Sequence, residues 1–120
     1  MRLVRFGAPG EEKPGLLDAN DVVRDLSGVV DDIGGAVLSP AGLARLRAIE
    51  PASLPAAAAG VRLGACVARP GHFIAVGLNY ADHAEESGMA IPAEPVLFSK
   101  APNCIVGPND DVIQPKGSTK

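Results

Sequence analysis

An α+β chain, mostly β, is what this sequence predicts, and three observations carry that expectation. Apolar runs are short and bounded by turn residues, as in Leu3-Val4-Arg5-Phe6 ahead of Ala8-Pro9-Gly10. Helical spacing is confined to brief stretches, the clearest of them opened by Ser39-Pro40 and by Asn79. The texture then changes after Arg69-Pro70-Gly71, which divides a small β-rich domain over residues 1–69 from a second segment over 70–120.

The N-terminus over residues 1–6, which holds the first strand, alternates charged and apolar residues, so it reads as structure and not as the apolar stretch of a secretory leader. Glu11-Glu12-Lys13 is expected to be a solvated charge cluster, and Pro14-Gly15 a turn. Leu16-Leu17-Asp18 and residues 21–26 form a hairpin joined at Ala19-Asn20. A short helical turn is expected over 29–33, stopped by Gly34-Gly35. Ser39 is a helix N-cap with Pro40 at the first helical position, and Leu38 and Leu43 are spaced for a hydrophobic staple. Leu43, Leu46 and Ile49 make the apolar stripe of that helix, and Pro51 ends it. The alanine-rich run over 52–60 is a linker, or a poor helix after Pro55; residues 61–68 read as an extended strand. Phe73-Ile74-Ala75-Val76 is predicted to be a buried strand, and Val96-Leu97-Phe98 to be a strand. A last short strand is expected at Val112-Ile113. The polar sequence over 114–120 suits a frayed terminus or a chain interrupted between strands.

Composition narrows the function classes. Eleven basic residues stand against 14 acidic ones, a net charge of −3 with no arginine-rich run, which argues against a nucleic-acid or anionic-membrane partner. No apolar run approaches the length of a membrane span. Cys66 and Cys104 read as free thiols in a reducing cytoplasm. Hydrophobic residues make up 47% but aromatics only 3%, so the core is assembled from small side chains that each bury little area. That predicts a partner surface, and a homodimer is the expected form.

The chemistry concentrates between Gly77 and Lys100. On a helix capped by Asn79, with Asp82 three residues on, His83 and Glu86 lie one turn apart on the same face. A carboxylate beside an imidazole holds one tautomer and favours the protonated ring, which suits a general base. An exposed helix with an incidental His–Glu contact has the same spacing. Lys100 shares a strand face with Val96 and Phe98, either extending to water or aimed at an anionic intermediate. Asn79 and Tyr80 are candidates to orient a substrate, beside their roles as cap and packing residues. Gly77 is read as the small residue that lets the turn form. His72 and His83 are the only histidines and no cysteine–histidine cluster occurs, so no metal ligand is assigned to this chain.

Gly77-Leu78-Asn79-Tyr80-Ala81-Asp82-His83-Ala84-Glu85-Glu86, then Glu94-Pro95-Val96-Leu97-Phe98-Ser99-Lys100 and Gly107-Pro108-Asn109-Asp110, resemble the opening of the catalytic domain in the fumarylacetoacetate hydrolase family. Arg2-Leu3-Val4-Arg5-Phe6 and Val23-Arg24-Asp25-Leu26-Ser27 are similar to the small β-rich domain that precedes it in bacterial members. The resemblance implies a mixed-β catalytic fold and a divalent cation, Mg2+ or in its place Mn2+ or Ca2+. Its substrate would be a dicarbonyl or 2-oxo acid of aromatic or related catabolism. It assigns water activation to His83 and Glu86 and stabilisation of the anion left by C–C cleavage to Lys100. Isomerases, decarboxylases and lyases of the family remain alternatives, as does a non-catalytic assembly module. The family's E-x-E pair and later Asp have no counterpart here, and His72 stands where Lys is common. The cation's ligands are therefore expected in a C-terminal catalytic part outside this chain, which by itself would be inactive.

Overall fold

The computed structural model describes residues 1–119. Two units make up the chain: Met1–Ala68 together with Val106–Lys120, and Arg69–Ile105. Each unit holds one small antiparallel sheet and short helices, compatible with the expected mixed-β class.

The first unit is built on an antiparallel meander of β1 (Arg2–Phe6), β2 (Lys13–Leu17) and β3 (Val23–Asp25). Arg2 pairs with Leu17 and Phe6 with Lys13, so Pro14 and Gly15 lie inside the central strand and do not form the expected turn. Pro14 is one residue from the strand start, where a missing donor costs least, and its carbonyl accepts from Leu26 N at 2.9 Å. Gly15 is needed for space: a Cβ there would stand 2.9 Å from the Phe6 ring and 3.0 Å from the Arg24 carbonyl. The β2–β3 hairpin turns on Asp18, whose carboxylate accepts from the backbone N–H of Asn20 (2.8 Å) and Val22 (3.0 Å).

Residues 29–33 form no helix; the 3-10 turn lies over Gly35–Leu38, after the glycines expected to stop it. Gly35 has φ +45, so this glycine starts the turn by supplying a left-handed residue. The helix α1 (Pro40–Arg47) begins as predicted, with Ser39 Oγ accepting from Gly42 N at 3.1 Å. It ends at Arg47, so Ile49 lies beyond it and Pro51 opens a separate 3-10 turn over Pro51–Ser53. Leu16, Leu26 and Leu46 pack as the core, joined at its margin by Leu3, Val30 and Ile49.

The alanine-rich run is a linker, and it extends the sheet. Asp25 N donates to Pro55 O and Ala57 N to Val23 O, both at 2.8 Å, which covers the outer edge of β3. On the far side, Gly7 N donates to Arg62 O and Gly64 N to Arg5 O, so residues 62–64 flank β1 without forming a full strand. Val112 and Ile113 form no strand and are 93% and 85% exposed, since no neighbouring strand is aligned to pair with them.

Glu12, expected in a solvated cluster, is instead built into this unit, while Glu11 and Lys13 stay exposed. Arg62 meets Asp110 through two hydrogen bonds (2.7 and 2.6 Å) and Glu12 through a third at 3.0 Å. Arg5 meets Asp32 in the same two-pronged way, at 2.7 and 3.0 Å. Glu12 thus lies half-buried between two guanidiniums, and Arg62 holds its carboxyl below the usual range.

Candidate active site

The second unit contains β4 (Phe73–Gly77), α2 (Ala81–Glu86) and β5 (Val96–Lys100), with β4 and β5 antiparallel. Phe73 pairs with Lys100 and Gly77 with Val96. Strand β4 is not buried: Ile74 is 56% and Val76 45% exposed. Of the described residues in this unit only Ala84, on the inner side of α2, is buried.

Between β4 and α2 the backbone makes its tight turn at Leu78, with φ +49, and not at Gly77. A positive φ on leucine is an uncommon conformation that costs free energy. Asn79 does not cap the helix. Tyr80 occupies the N-cap position without a side-chain bond, and Asp82 Oδ1 accepts from His83 N at 2.8 Å. The helix is closed at its other end by Gly88 (φ +63), where Gly88 N donates to Glu85 O and Met89 N to Ala84 O. This pair of bonds is a Schellman cap, and Gly88 two residues beyond Glu86 was the signal for it.

His83 and Glu86 therefore sit on one six-residue helix at i and i+3, both exposed. Neither side chain makes a hydrogen bond or ion pair with a described residue. Lys100 is at the other end of the hairpin, opposite Phe73, while α2 follows Gly77. At about 3.3 Å per residue those strand ends are roughly 13 Å apart, so the register does not by itself bring Lys100 to the helix. Its ammonium stands 5.8 Å from the centre of the Phe98 ring, on the strand face the two share.

A solvent-open cavity of about 390 Å³ lies beside the Leu78 turn, walled by Val76, Leu78 and Ile91, with Asn79 and Glu94 as its polar groups. Asn79 is the only one of the predicted site residues that lines it. Glu94 opens the run from Glu94 to Lys100 but has no role assigned there, and Ile91 carries no motif that would have singled it out for this place. Among the described residues no three His, Cys, Asp or Glu side chains gather as a cation site. The described residues thus do not fit a divalent ion, which needs several converging oxygen or nitrogen donors.

Comparison with known proteins supplies the context for this geometry. The family described as "Fumarylacetoacetate (FAA) hydrolase C-terminal" matches residues 72–120. Proteins named "Putative hydrolase" from Burkholderia multivorans and Burkholderia cenocepacia are each 59% identical over 120 residues, and one from Burkholderia ambifaria is 58% identical. In all three the match takes in 100% of this chain and 43% of the relative, so the chain spans less than half the length of the relatives it matches. Residues 72–120 of this chain are thus similar to the C-terminal domain of the fumarylacetoacetate hydrolase family.

Proposed function

We propose that this chain is the amino-terminal part of a metal-dependent hydrolase that cleaves a C–C bond in a 2-oxo or 1,3-dicarbonyl acid. The observation that carries the proposal is the family match over the segment that holds His83, Glu86 and Lys100. The helical spacing supports it: His83 and Glu86 share a face on α2, directly after a strand end and a strained turn.

In this reading His83 takes a proton from the attacking water, and Glu86 orients the ring and stabilises the imidazolium. The oxygen of that water then bonds to the carbonyl carbon as the C–C bond breaks. Lys100 stabilises the carbanion or enolate left behind, which picks up a proton on release. Asn79, which lines the cavity beside Leu78, and the neighbouring Tyr80 orient the substrate. The divalent cation implied by the resemblance, Mg2+ in the first instance, would take its ligands from residues outside this chain. The assembled protein would be a homodimer in the cytoplasm, serving the breakdown of aromatic or related compounds.

The exposure of His83 and Glu86 is consistent with half a site: general-base catalysis gains from a cleft that excludes bulk water, and here none covers them. The test is turnover of an acylpyruvate-type substrate by the complete enzyme. His83→Ala should lower kcat by about 100-fold or more, with urea unfolding unchanged because the side chain is exposed. Unchanged turnover, or a loss of stability in place of activity, removes His83 from the mechanism.

A further inference from the structure

After Arg69–Ile105 the chain returns to the first unit at Val106, and the way it is held there is unlike the rest of that unit. The backbone of residues 62–64 uses one side on β1, where Gly7 N donates to Arg62 O at 3.0 Å and Gly64 N to Arg5 O at 2.8 Å. Successive residues of an extended chain turn their polar groups to opposite sides, so the Leu63 carbonyl faces away from β1. There it meets Gly107, which is buried: a Cβ on Gly107 would overlap the Leu63 oxygen and stand 3.1 Å from Gly64 Cα. Yet among the described residues no backbone hydrogen bond joins 107–110 to 62–64. Apolar cover is thin as well, since Val106 is 51% exposed and Pro108 and Asn109 face water.

Charge supplies the missing attachment. Asp110 closes the segment into a turn, its Oδ2 accepting from Gly107 N at 2.7 Å while Asp110 N donates to Gly107 O at 3.2 Å. The same carboxylate takes both Arg62 bonds, at 2.7 and 2.6 Å. Arg62 also donates to the Gly7 carbonyl and to Glu12, each at 3.0 Å. Glu12 in turn accepts from Gly10 N at 3.1 Å and lies 3.8 Å from Arg5, which is paired with Asp32.

We infer that residues 107–110 are a strap, a closed turn that Arg62 latches onto the outer edge of the first unit and that opens as a unit while the sheet stays folded. The latch is a single side-chain pair that spans 48 positions. The sheet has a backbone ladder and the Leu16, Leu26 and Leu46 core behind it. Segments with few buried apolar contacts open at lower free energy than the core beside them. A two-pronged, charge-assisted pair is directional, and the seat at Leu63 admits only glycine, so the strap has one closed position. None of this depends on the chemistry proposed for His83, and it is read without turnover.

The test is hydrogen exchange in the 120-residue chain at the amides of residues 107–110. The Leu26 amide, bonded to Pro14 O at 2.9 Å, is the reference for the sheet. Asp110→Asn removes the charge of the latch, whereas Gly107→Ala leaves every charge in place and blocks the seat. Each should speed exchange in the strap by about 10-fold or more, with Leu26 unchanged. Asp111→Asn, exposed and outside the latch, should leave both regions as they are. Strap amides that stay slow in either of the first two variants overturn the inference. So does Leu26 accelerated by the same factor, which would make the strap part of the sheet's own unfolding, or an equal effect of Asp111→Asn.

Discussion

Arg62 shows how a single side chain reorganises what a sequence reader assigns to solvent. Its guanidinium bonds Asp110, Glu12 and the Gly7 carbonyl, and so brings together residues separated by about half the chain. Asp110 also accepts from Gly107 N at 2.7 Å; these contacts, Arg62 foremost, hold its carboxyl below the ordinary value. Glu12 is lowered for the same leading reason, and Asp18 by Arg24. A carboxyl depressed in the folded state adds stability that is complete above its unfolded pKa, roughly 4. That contribution is lost as pH falls through the lower, folded value. Urea midpoints should therefore decline from about pH 5 toward pH 2. Arg62→Met should lower the midpoint at pH 7 and flatten the decline; an unaltered pH profile would show that the cluster contributes nothing. None of this was legible in the sequence, because charge type and spacing say nothing about which distant partner a side chain will meet.

At the scale of the element, local chemistry was readable where the signal and its partner lie within a few residues. Ser39 and Pro40 started α1 as expected because the cap and the N–H it satisfies are both inside one turn. The Asp18 hairpin was legible for the same reason. Pro14-Gly15 was misread because the usual meaning of that dipeptide was overridden by the Phe6 ring packed against Gly15. Gly15→Ala should therefore destabilise the sheet by about 1–3 kcal/mol, the usual cost of overpacking. Thermal unfolding checks this, and a neutral result would mean that the ring moves aside freely. In α2 the cap expected at Asn79 is absent, since the strained Leu78 turn shifts the helix start beyond it. The spacing of His83 and Glu86 survives that shift, because any helix through both puts them on one face.

The molecule as a whole divides its stability unevenly. Leu26 is 0%, Ile33 1% and Leu46 2% exposed, and all three lie in the first unit, whereas the second buries only Ala84 among its described residues. Leu26→Ala should cost about 2–5 kcal/mol, measured by urea unfolding of the first unit; a cost below about 1 kcal/mol would place the core elsewhere. The mixed α+β character, the α1 start, the β4–β5 strands and the family resemblance were all determined by the sequence alone. Each depends on short-range spacing or on a contiguous motif. Only the tertiary structure decided that Pro14 and Gly15 belong to a central strand, that Glu12 and Asp110 meet Arg62, and that β4, read as buried, stands open to solvent. Those outcomes depend on which surfaces meet across long separations, and a pattern of apolar residues specifies that a face wants cover without saying what covers it.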